Sequence, residues 1–340
     1  MYSANKKIRV VILMGGPSSE HEVSLSSGAQ VLRHLDNNKY ETKAVFISKD
    51  NLWSFPSEGT DLSLEEGLLT LDRISPNIVF LALHGNFGQE SYMQNHLKSA
   101  NIPYTGSNDI ASALALHKGA SSQVLRAHNI LVPEYLEIHK LDFKKNESKI
   151  ISEILKKIKS PLVVKPARHG SSVGVSIVKD RGSLAHDSLK SALENAFELD
   201  KLTIVQKYIS GREFTCGILE KNGEPVALLP TEIIPLKAKH FNYESKYSSD
   251  GAREITPPEN LSDDKIKEIQ ALALQVHQTL NLKGYSRVDM ILSKDQNLYV
   301  LEANTLPGLT EGSLLPKGAA ALGISFGGLL DLIIENGLMR

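Results

Sequence analysis

The chain has a single cysteine, Cys216, in 340 residues. No disulfide can form within it, and that usage suits a reducing compartment. It also lacks an excess of charge of either sign: 38 Lys and Arg face 39 Asp and Glu, a net charge of −1. A global electrostatic footprint for DNA or RNA is therefore missing, and no nucleic-acid partner is expected. No apolar run nears the roughly 18 residues of a membrane helix, so no membrane partner is expected either. Lys6, Lys7 and Arg9 precede the apolar run 10–14, but that run is too short for a signal-peptide core. Gly15-Gly16-Pro17 ends it, and it reads as a first buried strand. Internal repeats and low-complexity tracts are absent. The hydrophobic share, 41%, is ordinary for a globular chain and argues against disorder. At roughly 100–200 residues per domain the length implies two or three domains. The expectation is a soluble, cytoplasmic, multi-domain protein.

The first third alternates strands and helices. Strands are expected over 8–14, 43–47 and 78–83, and helices over 25–35, with Ser24 as N-cap, and 90–99. This alternation predicts an open, mostly parallel sheet, whose ligands sit beyond the carboxyl ends of its strands. The polar stretches 15–24 and 84–90 lie there. In the middle third the pattern predicts helices over 111–128 and 148–159. Strands are expected over 160–167 and 202–209, with the small-residue stretch 168–178 a loop running into another. The last third predicts strands over 213–219, 225–229, 285–292 and 298–303 and a C-terminal helix capped by Ser325. Between them, 262–280 is an amphipathic helix with Ile266, Ile269, Ala273, Val276 and Leu280 on one face. Residues 236–258 are polar, bounded by proline and aperiodic, a long loop of the kind that is functional or disordered. This loop carries Lys237, Lys239, His240, Tyr243, Lys246, Tyr247 and Arg253. Charge-rich loops are usually just solvated, but cations mixed with tyrosines also suit a lid over an anionic site.

The strongest chemical signal lies in the last two strands. In "GYSRVDMIL", Arg287 and Asp289 are two apart and share a face, while Val288, Met290 and Leu292 point the other way. In "YVLEANTLPG", Glu302 and Asn304 are again two apart. Neighbouring strands in that register would bring Asp289, Glu302 and Asn304 together, an all-oxygen set suited to Mg²⁺. The plain alternative is a solvated strand face with charge pairs, but two consecutive polar faces favour the metal. A second signal is "KPARHGSSVGVS". Gly170 and Gly174 bracket three small residues whose backbone can approach a phosphate, and Lys165 adds a point charge. A simple hairpin turn explains the glycines equally well. A third is "MGGPSSEHEVS", where adjacent glycines do not make a dinucleotide fingerprint and a Rossmann dehydrogenase is disfavoured. There Glu20 and Glu22 either cap the following helix or hold a substrate ammonium. His84 closes a strand at the ligand end of the sheet, which raises the chance that it touches a ligand. Cys216, within an expected strand, reads as a buried inert thiol.

Taken in order, "GGPSSEHEVSLSSG", "LHG" at 83–85, "YTGS" at 104–107, "KPARHGSSVGVS", "GREFT" at 211–215, "ESKY" at 244–247, "GYSRVDM" and "LEANTLPGLT" form one pattern. In it the chain resembles the ATP-grasp ligases, and among them the D-alanine–D-alanine ligase family, over nearly its whole length. The resemblance implies an α/β protein of three domains. An N-terminal, open, mostly parallel sheet (1–106) binds substrate. Central (107–207) and C-terminal (208–340) ATP-grasp domains hold ATP between them, with 236–258 as the lid. The implied reaction joins two D-alanines with ATP through an acyl phosphate. The implied cofactors are ATP and two Mg²⁺, with Mn²⁺ able to substitute, and the implied assembly is a homodimer.

Carried residue by residue, the resemblance makes Asp289, Glu302 and Asn304 the Mg²⁺ ligands. Lys118 and Lys165 contact the phosphates beneath Gly170, Ser172 and Gly174. Gln206, Lys207, Ile209 and Glu213 line the adenosine pocket; many relatives have Glu where this chain has Gln206. Glu20 holds the first substrate's ammonium and bonds towards Ser171 and Tyr247. Lys246 lies near the transferred phosphoryl, and Arg287 stabilises the tetrahedral oxyanion. Ser313 and Leu314 bind the second carboxylate, Gly308 is a further substrate-binding position, and His84 lies beside the first substrate. Tyr247 favours an amine as second substrate. The alternatives are a ligase taking D-lactate or D-serine, and a non-catalytic nucleotide-binding module.

Overall fold

The computed structural model describes residues 7–339 apart from 58, 86, 88–90, 171, 181 and 237–250. Three sheets follow one another along the chain. The first comprises β1 (Ile8–Gly15), β2 (Tyr40–Ile47), β3 (Trp53–Phe55), β4 (Gly59–Leu62) and β5 (Ile78–Leu81), in the order β4-β3-β2-β1-β5. β1 runs parallel to β2 and β5, and β3 and β4 add an antiparallel edge. The apolar runs of β1 and β5 are buried on both faces, as central parallel strands require.

The helix expected over 25–35 runs instead from His21 to His34. Ser24 is not its cap. Glu20 holds the N-cap position without a side-chain cap bond, and Ser24 lies inside the helix. Its buried hydroxyl donates to the Ala82 carbonyl (2.7 Å) and accepts from the Gly15 N–H (2.7 Å), so it satisfies the ends of two strands rather than the helix start. A second helix, Leu64–Ile74, was not among the expected elements, although Leu64, Leu68 and Leu71 recur at helical spacing and Ser63 and Glu66 form a capping box at its start.

The second sheet is antiparallel throughout: β6 (Tyr135–His139), β7 (Leu162–Pro166), β8 (Ser176–Val178) and β9 (Leu202–Lys207), in the order β6-β9-β7-β8. Helices Lys140–Lys157, which kinks at Asn146, and Ser183–Phe197 bury Phe143, Ile151, Leu189 and Phe197 with Val164 and Val205. The single helix expected over 111–128 is two, Asp109–Leu116 and Lys118–Ala127, because His117 is extended. The His117 ring caps the second helix by accepting from Ala120 N (3.1 Å), and the Lys118 N–H donates to the Ala167 carbonyl (3.1 Å). The break sets Lys118 at a helix start facing the β7–β8 connection.

The third sheet holds β10 (Gly211–Lys221), β11 (Glu224–Ala227), β12 (Thr231–Pro235), β13 (Ala252–Ile255), β14 (Tyr285–Ser293) and β15 (Leu298–Asn304), ordered β13-β12-β10-β14-β15 with β11 on β10. The stretch expected to be loop throughout, 236–258, therefore contains a strand. β13 is four residues long, too short to show a period, and exists through pairing with β12. Helix Asp263–Thr279, capped by Ser262, buries Ile269, Ala273 and Val276 in one core with Phe214, Val288 and Met290. Ala111, Ala115 and Leu125 of the two short helices join that core. The last helix, Phe326–Leu338, puts Leu329, Leu330, Ile333 and Ile334 into the core of the first sheet, together with Tyr285, Leu306 and Leu309. The first and third sheets are thus locked together by shared apolar packing. Among the described residues no helix is long and apolar enough to cross a membrane.

Candidate active site

β14 and β15 pair with Asp289 opposite Glu302 and Arg287 opposite Asn304, so the four side chains share one face of the sheet. The opposite face carries Val288 and Met290 into the core. Arg287 grips Asp289 with its planar fork: Nε donates to Oδ1 (2.9 Å) and Nη2 to Oδ2 (2.8 Å). Thr215 on β10, directly opposite Asp289, donates its hydroxyl to Oδ1 at 2.6 Å. Lys118 reaches in from its helix start, with Nζ 3.3 Å from Glu302 Oε2, and donates to the His169 carbonyl at 2.6 Å. The Asn304 side-chain oxygen accepts from the Leu306 N–H (3.1 Å).

Two cavities meet at these residues. One, of about 400 Å³, lies between the second and third sheets. Val163, Ile177, Tyr208, Ile209 and Ile291 form its apolar walls, and Lys118, Lys165, Gln206, Glu213, Asp289 and Glu302 its polar end. An apolar slot running to two lysines and three carboxylates suits a planar base with a charged tail. The other cavity, of about 610 Å³, opens between the first and third sheets and is lined by Glu20, His84, Arg287, Asn304, Gly308, Ser313 and Leu314. Glu213, Ile233, Asp289 and Glu302 line both. A phosphoryl group passed from one cavity to the other would cross at the carboxylates.

Of the expected site residues, Ser172 lines the first cavity. Gly170 lies close to Glu20 from the neighbouring unit: a Cβ there would meet the Glu20 carboxylate at 3.2 Å, and one on Gly85 would meet it at 2.9 Å. Glu20 is therefore wedged between two glycine-bearing loops. The Lys207 side chain is exposed and does not line the cavity. Strand alternation turns its neighbours Gln206 and Tyr208 inward and leaves only its backbone on that side. Ser171, Lys246 and Tyr247 lie outside the described residues, as does most of the stretch expected to be the lid.

His84 is buried, and both ring nitrogens are engaged. Nδ1 is 2.9 Å from the Leu306 carbonyl and therefore carries the proton, while Nε2 lies 2.7 Å from the Ser27 hydroxyl. Burial is the main cause that holds this imidazole below its ordinary pKa, with Glu20 pulling the other way. Ser27 also accepts from the Leu309 N–H at 3.3 Å, so a helix of the first unit reaches the loop that leads to Ser313.

Three contributors were assigned no role from the sequence. Thr215 stands two residues from Glu213 on β10, and that spacing was its signal. Ser27 follows Ser24 by three, so two small polar residues share the buried helix face. His169, set aside because relatives vary there, lines the first cavity.

Asp289, Glu302 and Asn304 offer only oxygen, the donor chemistry that Mg²⁺ takes. Among the described residues no cluster of three or more His, Cys, Asp or Glu forms a cation site. A cation held here would draw the rest of its shell from phosphate oxygens and water, as Mg²⁺ commonly does. The residues fit that ion.

The chain is similar to known proteins along nearly all of its length. Residues 9–74 match the family model for the D-ala D-ala ligase N-terminus and residues 124–335 that for the D-ala D-ala ligase C-terminus. The chain is 35% identical to a D-alanine–D-alanine ligase of Clostridium beijerinckii over 97% of its own length and 99% of that protein's. It is 37% identical to one of Bacillus anthracis, covering 97% of each. Among solved structures, the D-alanine–D-alanine ligase of B. anthracis complexed with ATP superposes with a TM-score of 0.75 at 34% identity, over 98% of each chain. VanG D-Ala:D-Ser ligase from Enterococcus faecalis gives 0.83 at 27% identity, over 98% of this chain and 100% of that one. With both halves of the chain matched in order, and relatives above 30% identity covering nearly all of it, this protein belongs to the D-alanine–D-alanine ligase family.

Proposed function

We propose that the chain joins two D-alanines into D-alanyl-D-alanine, converting ATP to ADP and phosphate through a D-alanyl phosphate, in the synthesis of peptidoglycan precursors. The observation that carries this reading is the meeting of a nucleotide-shaped cavity and a second, larger one lined by Glu20, Arg287 and Ser313 at Asp289, Glu302 and Glu213. A carboxylate is a poor electrophile at neutral pH, so one of its oxygens must become a leaving group. In the first step a carboxylate oxygen of the first D-alanine bonds to the γ-phosphorus as the bond to ADP breaks. In the second, the amine of the other D-alanine bonds to the carbonyl carbon, and phosphate departs with that oxygen.

The residues divide this work. Glu20 holds the first ammonium. Lys118 and Lys165 pair with the phosphates, and phosphoryl transfer needs mainly such positioning and charge neutralisation. Arg287, oriented by Asp289, stabilises the oxyanion of the second step. Gly308, Ser313 and Leu314 receive the second carboxylate. Mg²⁺ bound by Asp289, Glu302 and Asn304 would supply charge neutralisation at the phosphates. Gln206, Ile209 and Glu213 take the adenosine, with Lys207 contributing through its backbone. The chain divides into three units, 1–106, 107–207 and 208–340, a reading that its three successive sheets support. The protein acts in the cytoplasm as a homodimer, a state that light scattering reads directly.

The test is phosphate release from ATP and Mg²⁺ with D-alanine, L-alanine, or D-alanine plus D-lactate or D-serine, with products weighed by mass spectrometry. D-alanine-dependent release with D-alanyl-D-alanine as main product supports the reading. An ester, or a mixed dipeptide with D-serine, as main product would replace it with a different second substrate.

A further inference from the structure

The stretch 168–175 connects β7 to β8 and presents His169 and Ser172 to the nucleotide cavity. Its two ends are held from one short turn, the residues between helix Ser183–Phe197 and β9. At the entry end Asp200 accepts four hydrogen bonds. Arg168 gives it three, from its backbone N–H (3.0 Å), Nε (3.2 Å) and Nη2 (2.6 Å), and the Leu202 N–H gives the fourth (3.1 Å). The Asp200 side chain is only 2% exposed. At the exit end Gly174 has φ +74°, and a Cβ there would collide with the Leu199 side chain and come within 2.9 Å of Pro166. Neither Arg168 nor Asp200 lines the cavity.

We propose that Asp200, partnered by Arg168, is a positioning residue that sets the entry of the 168–175 connection over the nucleotide phosphates, with Leu199 closing against its exit. The inference rests on the reading of the first cavity as the ATP site. Four polar backbone groups at the entry are already committed. Ala167 donates to the Leu202 carbonyl and accepts from the Lys118 N–H, the Arg168 N–H goes to Asp200, and the His169 carbonyl accepts from Lys118. A hairpin tip without such anchoring samples many conformations, and one fixed at both ends presents its N–H groups in a single arrangement. The same turn leads into β9, which carries Gln206, so one anchor sets both the wall beside the base and the cover over the phosphates. A loosened cover would admit water to the γ-phosphorus, and ATP would then be hydrolysed without dipeptide being formed.

The experiment uses the full-length protein and three variants: Asp200→Asn, Arg168→Lys, which keeps the charge but loses the fork, and Leu199→Ala. KM for ATP, KM for D-alanine, phosphate released per dipeptide and hydrogen exchange of 168–175 are measured, with thermal melting as the check on folding. Asp200→Asn should raise KM for ATP roughly tenfold or more, the loss expected for charge-assisted hydrogen bonds. KM for D-alanine should hold, phosphate per dipeptide should exceed one, and exchange across the connection should quicken. Arg168→Lys should fall between this variant and the parent. A folded Asp200→Asn protein with unchanged KM for ATP, coupling and exchange overturns the proposal. If that variant does not fold, the same criteria applied to Arg168→Lys and Leu199→Ala decide. Lys165→Ala serves as control by calorimetry. If it loses ATP binding while the clasp variants bind as the parent does, only the clasp is wrong. If it too binds ATP like the parent, the nucleotide reading fails, and the clasp fails with it.

Discussion

Arg287 is held by a carboxylate two residues along its own strand, an arrangement that fixes the guanidinium plane before any substrate arrives. Such preorganisation is what an oxyanion donor needs, because no reorganisation is left to be done during the reaction. Arg287→Met should therefore lower kcat by roughly 10²–10³, the usual cost of one oxyanion donor, while calorimetry finds ATP binding preserved; near-parental turnover would remove Arg287 from that role. Cys216 is the opposite case. It is fully buried in a strand, donates weakly to the Leu228 carbonyl, and burial pushes its thiol up to about 12. The folded protein should resist thiol reagents at pH 8 and react only when denatured, and stoichiometric labelling of the native chain would contradict this. At this scale the sequence was legible wherever a side-chain period exposed it. Arg287, Asp289, Glu302 and Asn304 could be placed on one face from spacings of two. Asp200 could not, because it sits in an aperiodic turn and matters only through Arg168, 32 residues away.

The elements owe their ends to side chains as much as to periodicity. Ser262 caps its helix by accepting from Lys265 N, and Ser262→Ala should cost about 1 kcal/mol of stability, read by urea unfolding, without altering turnover. The turn 198–201 carries a pH signature. Burial raises the Asp200 carboxyl, but the bonds from Arg168 and Leu202 outweigh it and hold the group below the usual carboxylate range. The unfolded chain therefore binds this proton more tightly than the native one, and native stability rises with pH across that interval. The contribution is complete above the ordinary carboxylate value and is lost as pH falls through the lower native one. Asp200→Asn should thus be less stable than the parent at neutral pH, with the gap narrowing below about pH 4; a gap that stays constant into acid would refute it. Strand alternation made β14 and β15 readable to within a residue or two. The break at His117 and the short β13 were not readable, since one arises from a bond to a distant carbonyl and the other from pairing with β12.

On the scale of the whole molecule, the site exists because three sheets converge. The alternation of strands and helices, with the family resemblance, made the three-part α/β architecture legible. The packing between parts was not, since helix Phe326–Leu338 is apolar in any context and only the folded chain assigns it to the first sheet's core. That packing, together with the Ser27–His84 link to Leu306 and Leu309, holds the loop that leads to Ser313 against the unit that carries Glu20. In the proposed function, this assembled site moves a phosphoryl group onto a D-alanine carboxylate and an amine then displaces it as phosphate. The most direct measurement supplies D-alanine labelled with ¹⁸O in its carboxylate and follows the label in the released phosphate by mass. Each phosphate should carry one labelled oxygen, in step with D-alanyl-D-alanine formed. Dipeptide accompanied by unlabelled phosphate would contradict it.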